Sequence, residues 1–373
     1  MCHAEICTLP PPTPGKDIPP LKTPAADLAN EFAEIGTAEV TQAIKRCNRH
    51  SACGSDRIPY LVIDKAHQAF PSLLPTLFTA SLKTGCFLST WKHAACVVIP
   101  KGGKRDPHTP KAYQPISLLS NVSKVFEKLV AKRIARASIA VGTLSSTQFG
   151  AIENRSAVDA LFAITRPASI ALEVPNTGRG GKAPPLDHPT LLANDIQGAF
   201  NNTDPARLVR IMQARRLPLY LANWTASFTT SRTMAFCFYN CTEDAQPYNS
   251  GLLQGLLVSP VLFRLYAQAM MEVPGPKYLK DEDVSYLDDD GALQLATSQA
   301  YAAKRLQERM ALRLVRGAQL NLPYDTAKSG CVCDLVFLSR YMRPEGEGYR
   351  CGAGVSTHHE SGMRWLRESA PRG

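Results

Sequence analysis

The stretch SYLDDDGAL, residues 285–293, decides how this sequence is read. With its flanks, VSYLDDDGALQL (284–295), it reads as two short strands with acidic residues at the turn between them. Far upstream, LLANDI (191–196) reads as a buried strand that ends near an acid, Asp195. Carboxylates at the ends of neighbouring strands in one sheet can converge on divalent cations. Two Mg²⁺ ions about 3.5–4 Å apart would then clamp the attacking and leaving oxygens of a phosphoryl transfer. Hard cations take oxygen ligands, and Mg²⁺ usually adds substrate phosphates. Acids at turns are also commonly solvated or cap a strand, so a lone Asp288–Asp289 pair does not choose between these readings.

Outward from the two strands, local signals place the other elements. Asp204 followed by Pro205 is a good N-cap and first-turn pair for a helix to about Arg216. Ser259-Pro260 opens an apolar helix to about Met271 in the same way. From Gln299 to Arg316, Ala303, Leu306, Met310 and Leu314 give an amphipathic helix expected to stop at Gly317. CVVIP (96–100) is a short β-branched strand, followed by the basic loop KGGKRDPHTPK (101–111). Helices are expected over 117–138 and 155–165, and over 61–82 with interruptions at Pro71 and Pro75. CGSDRIP (53–59) is a turn, 175–189 a loop, and CDLVFL (333–338) a further strand candidate.

The chain has 373 residues, 45% of them hydrophobic and 20% charged, enough apolar material for a core and against disorder over most of its length. The net charge of +10 and the pI near 9.1 suit a polyanionic partner. No apolar run reaches the roughly 18 residues of a membrane span. The longest candidate, 256–273, is broken by Pro260 and Arg264, and the first residues lack the pattern of a secretory signal. The 11 cysteines are scattered without a CxxC pair, which argues against a disulfide framework or a zinc site. A reducing, intracellular compartment follows as the expectation, with the nucleus favoured. Prolines 10, 11, 12, 14, 19, 20 and 24 make residues 1–25 a disordered tail by composition.

Five segments, taken in order, resemble the reverse transcriptase domain of non-LTR (LINE-type) retrotransposons. They are WKHAACVVIPKGGKRDPHTPKAYQPISLLSNVSKVFEKLVAKRI (91–134), TQFGAIENRSAVDAL (147–161), NDIQGAFNN (194–202), GLLQGLLVSPVLF (251–263) and SYLDDDGAL (285–293). The turn GSDRIP (54–59) is similar to the start of the same domain, and the likeness runs from about Gly54 to Leu366. The resemblance implies an α+β right-hand polymerase fold, with fingers and an antiparallel palm sheet packed on helices, the thumb missing. It divides the chain into a tail (1–25), a helical extension or fingers (26–90), fingers and palm (91–340), and an incomplete primer grip (341–373). It implies Asp195, Asp288 and the backbone carbonyl of Ile196 as Mg²⁺ ligands, with Asp289 the second acid and Mn²⁺ a possible substitute.

By the same resemblance Phe200 selects deoxynucleotides, since a ring beside the sugar would clash with a 2′-hydroxyl. Gln254 and Gly255 match a turn where backbone approaches the nucleotide closely. Lys101 would meet the triphosphate. Lys104, Arg105, Lys111 and Arg155 would contact nucleic acid, and Lys328 is the nearest candidate for a lysine that protonates pyrophosphate. The implied partners are an RNA template, a DNA primer and dNTPs. Ordinary readings stand beside these: a core ring for Phe200, a solvated basic loop for 101–111, and a surface ion pair for Arg155.

Several residues depart from the family pattern. Gln114 stands where Arg is usual, Asn201 where Asp is usual, and Leu256-Leu257 where Ser-Pro is common. The first would weaken nucleotide binding unless Lys111 substitutes for the missing charge, and loss of the proline would loosen the turn. GMRWLRESAPRG (362–373) resembles the start of a primer grip with Arg367 in a glycine position. A thumb, an endonuclease and a ribonuclease H are not expected within the chain. The alternatives are an impaired retrotransposon remnant that only binds nucleic acid, and a group II intron-type maturase or RNA polymerase of the same fold. Phe200 argues against RNA synthesis.

Overall fold

The computed structural model describes residues 32–100, 108, 112–173, 188–238, 241–248, 251–272, 283–325 and 329–333. In chain order its elements are α1 (Thr37–Lys45), α2 (Tyr60–Ala69), α3 (Leu73–Thr84), β1 (His93–Pro100), β2 (Tyr113–Leu118), α4 (Asn121–Ala140), α5 (Ala157–Glu173), β3 (Thr190–Asp195), α6 (Pro205–Ala214), α7 (Leu219–Thr229), β4 (Arg232–Phe238), β5 (Cys241–Thr242), β6 (Gln246–Tyr248), α8 (Ser259–Met271), β7 (Asp283–Tyr286), β8 (Asp289–Gln294), α9 (Gln299–Leu320) and β9 (Gly330–Cys333). The chain is thus of mixed α and β class. Its described residues fall into two compact units, one from 1–143 with 200–266, the other from 144–199 with 267–373.

The first unit holds a sheet in the order β2–β1–β4–β5, with β6 also paired to β4. Its core is aromatic. Phe78 stacks on Phe126 at 4.6 Å and Trp224 on Phe228 at 4.9 Å, while Phe87 meets Trp224 and Phe228 edge-on. Rings of this size dominate core energetics, and the tilted pairs suit their quadrupoles. The 53–59 turn forms as expected and docks on the start of α4, where Asn121 Nδ2 donates to the Ile58 carbonyl at 2.8 Å. Helix 61–82 is two helices, α2 and α3, broken at 70–72. Pro75 sits harmlessly in the first turn of α3, where no intrahelical N–H partner is lost.

The helix expected from Ser117 begins only at Asn121, because Ser117 and Leu118 belong to β2. That strand pairs antiparallel with β1 from Ala95↔Leu118 to Pro100↔Tyr113. It ends the sheet order, which is why Pro115 is tolerated in it. Asp204 caps α6 as expected, its carboxylate accepting from the amides of Ala206 at 2.8 Å and Arg207 at 3.1 Å. Gly251 lies against the chain at Phe200–Asn201, so close that a Cβ would stand 2.3 Å from the Phe200 carbonyl oxygen.

The second unit is a fully antiparallel sheet, β7–β8–β3–β9. Its strands over 191–196 and 284–295 match the expected ones, while residues 334–338 of the last expected strand lie outside the described residues. On one face α5 packs through Ala160, Ile164 and Ala168 onto Leu191, Val284 and Leu293. Helix α5 starts behind a reciprocal cap, with the Asp159 carboxylate accepting from the Ser156 amide and the Asp159 amide donating to Ser156 Oγ. It runs past the expected end at Thr165 and through Pro167. The lost hydrogen bond there is outweighed by the apolar face buried on the sheet.

Two further expectations are corrected by α9, which covers the other face. The helix does not stop at Gly317. It reaches Leu320 and ends on left-handed Asn321, with Leu322 N–H donating to the Gly317 carbonyl at 2.8 Å. The glycine serves close approach, since a Cβ there would stand 2.6 Å from the Leu322 carbonyl oxygen. The inward stripe keeps Leu306 of the expected apolar residues and is otherwise partly cationic. Leu314 is exposed, while Arg309, Arg313 and Arg316 are buried; Asp283 and Asp290 on the sheet attract the first two, and Arg316 donates to Gln319 Oε1. Among the described residues no helix is long and apolar enough to cross a membrane.

Candidate active site

In the second unit, β7 and β8 form a hairpin in which Tyr286 pairs with Asp289 across Leu287 and Asp288. Such a two-residue turn needs positive φ, and Leu287 adopts +59°. Strand β3 lies along β8, with Asp195 directly opposite Asp289 and Asn194 opposite Asp290. Facing residues in an antiparallel pair have Cα atoms about 4.5–5.5 Å apart. The ladder continues one step further, where Ile196 N–H donates to the Asp288 carbonyl at 3.0 Å. Asp195, Ile196, Asp288 and Asp289 are therefore together at one end of the sheet.

Strand alternation sorts their side chains. Asp195 and Asp289 point to the α5 face, and Asp290 points to the α9 face. All three predicted acids are half-buried, whereas Asp290 is only 4% exposed. On the far side of β3 the chain after α9 also pairs with it. Tyr324 bridges Ile196, Gln197 N–H donates to the Pro323 carbonyl at 2.8 Å, and Asp325 N–H donates to the Asp195 carbonyl at 2.8 Å. Asp195 is thus fixed from both sides.

Among the described residues no three His, Cys, Asp or Glu side chains form a closed metal-binding group. A cage of protein ligands is not what Mg²⁺ needs, because it keeps several waters and uses one or two carboxylates with substrate phosphates. An opposed, half-buried pair of carboxylates fits that ion better than it fits one bound wholly by protein.

Segment 147–149 extends the sheet beside the hairpin, through Ser285 N–H to the Thr147 carbonyl at 3.1 Å and Phe149 N–H to the Ser285 carbonyl at 3.0 Å. Arg155 fastens this segment. Its Nη1 donates to the carbonyls of Ser145, Ser146 and Gln148, and its guanidinium lies 5.8 Å from the Phe149 ring centre.

In the first unit, Phe200, Gln254 and Gly255 belong to one local arrangement. Leu252 N–H donates to the Phe200 carbonyl at 2.8 Å, and Ser117 N–H on β2 approaches the Gln254 carbonyl at 3.4 Å. A Cβ on Gly255, whose φ is +95°, would stand 3.2 Å from the Ser117 carbonyl oxygen. The half-buried ring of Phe200 is tilted against Phe263 at 5.3 Å. The turn is not left loose by Leu257. Its N–H, which a proline would lack, donates to Glu127 Oε2 at 3.1 Å.

Lys101, Lys104, Arg105, Lys111 and Lys328 lie outside the described residues. The backbone of Gln114 pairs with Ile99 in β2. Sequence reasoning missed Glu127, fully buried in α4, and the buried set Asp283, Asp290, Arg309, Arg313 and Tyr324. A signal for the latter existed. In a DDD run on a strand, successive acids face opposite sides, so one of them had to point inward.

A family model described as reverse transcriptase (RNA-dependent DNA polymerase) matches residues 99–343. The chain is 26% identical over 297 residues to a probable RNA-directed DNA polymerase from transposon X-element of Drosophila melanogaster, covering 79% of this chain and 31% of that protein. It is 26% identical over 281 residues to the RNA-directed DNA polymerase from mobile element jockey of the same species, covering 74% and 29%. A retrovirus-related Pol polyprotein from type-1 retrotransposable element R1 of Bradysia coprophila is 27% identical over 164 residues, covering 44% and 15%. The chain spans under a third of the length of each of these relatives.

Proposed function

The chain belongs to the reverse transcriptase (RNA-dependent DNA polymerase) family, and on that footing we propose that the sheet end carrying Asp195, Asp288 and Asp289 joins dNTPs to a primer on an RNA template, within a right-hand polymerase fold. The observation that carries this reading is the register of β3 on β8, which sets Asp195 against Asp289 and Ile196 against Asp288. In the reaction a primer 3′-hydroxyl attacks the α-phosphate of a dNTP and pyrophosphate leaves. Mg²⁺, or Mn²⁺ in its place, would supply Lewis-acid stabilisation of the attacking and leaving oxygens.

The chain's own residues hold and orient. Asp195 and Asp289 offer carboxylate oxygens from one face of the sheet, Asp288 a third acid from the turn, and Ile196 a backbone carbonyl. Their half-buried setting strengthens attraction for cations relative to a fully solvated surface. Phe200 is assigned to sugar selection, Gln254 and Gly255 to the nucleotide, and Lys101 to its triphosphate. Arg155, Lys104, Arg105 and Lys111 are assigned to nucleic-acid contact. The two hydrogen bonds that anchor Leu252 and Gln254 support the second of these roles, since a fixed turn presents its backbone without a reorganisation cost.

Primer extension on an RNA template, with dNTPs and rNTPs supplied separately, tests the proposal. Magnesium-dependent extension with dNTPs that disappears in Asp288→Ala is expected. Extension no greater than that of Asp288→Ala overturns it, and preferential use of rNTPs overturns the assignment of Phe200.

A further inference from the structure

Behind the Asp195–Asp289 pair lies a buried charge network that has no part in the chemistry proposed above. Arg313 joins two aspartates, with Nη1 2.8 Å from Asp290 Oδ2 and Nη2 2.8 Å from Asp283 Oδ2. Arg309, one helical turn earlier, donates from Nη1 to Asp283 Oδ1 at 3.1 Å. The Tyr324 hydroxyl donates to Asp290 Oδ2 at 2.9 Å. The five side chains are all buried, and the two guanidinium groups balance the two carboxylates.

Buried ion networks are poor at adding stability, because desolvation cancels most of the attraction. They are directional, however, and this one converges on the neighbours of Asp195. Asp290 follows Asp289 and points to the opposite face, so fixing one fixes the rotation of β8 at the other. Tyr324 bridges Ile196, and the next residue, Asp325, donates its N–H to the Asp195 carbonyl. A single oxygen, Asp290 Oδ2, is therefore shared by the strand on one side of Asp195 and the segment on the other, with Arg313 anchoring both to α9.

We infer that Asp290, held by Arg313 and Tyr324, is a positioning residue that sets the placement of the hairpin acids relative to Asp195. The inference rests on the proposed metal role of those acids. Its effect would be on metal affinity more than on folding, as with groups that orient ligands without touching the ion.

The test uses the full chain without nucleotide or nucleic acid and titrates it with Mn²⁺ alone, read by the electron paramagnetic resonance of free Mn²⁺, beside a thermal unfolding curve. Tyr324→Phe removes one hydroxyl. It is expected to weaken Mn²⁺ binding about tenfold while lowering the unfolding midpoint less than the Leu293→Ala control does. Asp290→Asn is expected to weaken it at least as much. Leu293→Ala, which opens a gap in the α5-facing core, serves as the control and is expected to lower the midpoint while keeping Mn²⁺ affinity. Unchanged affinity in Tyr324→Phe and Asp290→Asn overturns the inference, as does loss of affinity in all three variants in step with their midpoints. If the unaltered chain binds no Mn²⁺, or binds it equally well as Asp195→Asn, the metal-site reading fails and takes the inference with it. Binding lost in Asp195→Asn but retained in Tyr324→Phe sinks the inference alone.

Discussion

Glu127 shows how a helix can be legible in the sequence while the burial of one of its side chains is not. In KVFEKL it has the look of a solvent-facing acid, yet it is fully buried and accepts hydrogen bonds from Ser123 Oγ and the Leu257 amide, both at 3.1 Å. Its burial is created by a turn far along the chain, which helical periodicity cannot report. Burial pushes its carboxyl above the ordinary 4.5, with Arg232, Ser123 and the amides of Leu257 and Val258 pulling the other way. The folded chain then holds this proton to higher pH than the unfolded chain does. Its contribution to stability is present below pH 4.5 and is lost as pH rises through the raised folded value. Urea midpoints followed upward from pH 4.5 are expected to fall less in Glu127→Gln than in the unaltered chain; parallel curves would exclude this account. A second change probes the same bond. Leu257→Pro deletes a donor to a buried carboxylate and is expected to cost about 1–3 kcal/mol in urea unfolding. Proline, common at this position in the resembling family, should therefore be harmful here.

At the level of elements, β3 and the β7–β8 hairpin were legible because short apolar runs ending in acids have few other uses. Strand β2 was not, since Pro115 and its polar neighbour mask a strand that exists only through pairing with β1. In α9 the apolar spacing indicated a helix and the burial of Leu306 but not the rest of the inward stripe, because Arg309 and Arg313 are drawn in by Asp283 and Asp290. Two substitutions of opposite sign follow from the turns. Leu287 holds a left-handed conformation, which costs an L-residue roughly 1–2 kcal/mol, part of which glycine returns as unfolded-chain entropy. Leu287→Gly is expected to raise stability by about 0.5–1 kcal/mol. Gly317→Ala sets a Cβ against the Leu322 carbonyl oxygen at the end of α9. It is expected to lower stability by about 1–3 kcal/mol, the range for overpacking. Thermal unfolding of both variants checks the pair, and the same sign of shift in both would contradict the backbone geometry.

For the whole molecule, no change of composition marks residues 143, 199 or 266, where the chain passes between its two units, so this organisation was hidden from a linear reading. Net charge was legible, yet it needs correction for burial. Arg215, Arg232, Arg264, Arg309, Arg313 and Arg316 are buried and cannot meet a polyanion. Exposed cations such as Lys45, Arg46, Arg49, Lys65 and Lys83 remain, together with the basic loop at 101–111, which lies mostly outside the described residues. Counterion release makes each phosphate contact visible as a salt slope of about 0.9 in log affinity against log salt. For about six contacts, affinity for an RNA–DNA duplex should fall roughly a thousandfold between about 50 and 200 mM salt. If the loop meets phosphates, replacing Lys101, Lys104, Arg105 and Lys111 by Ala should lower the slope by about one for each residue in contact. Fluorescence anisotropy across a salt series measures both quantities. A slope unchanged by the fourfold replacement would remove the loop from the nucleic-acid surface, and salt-insensitive binding would remove the electrostatic basis for that surface altogether.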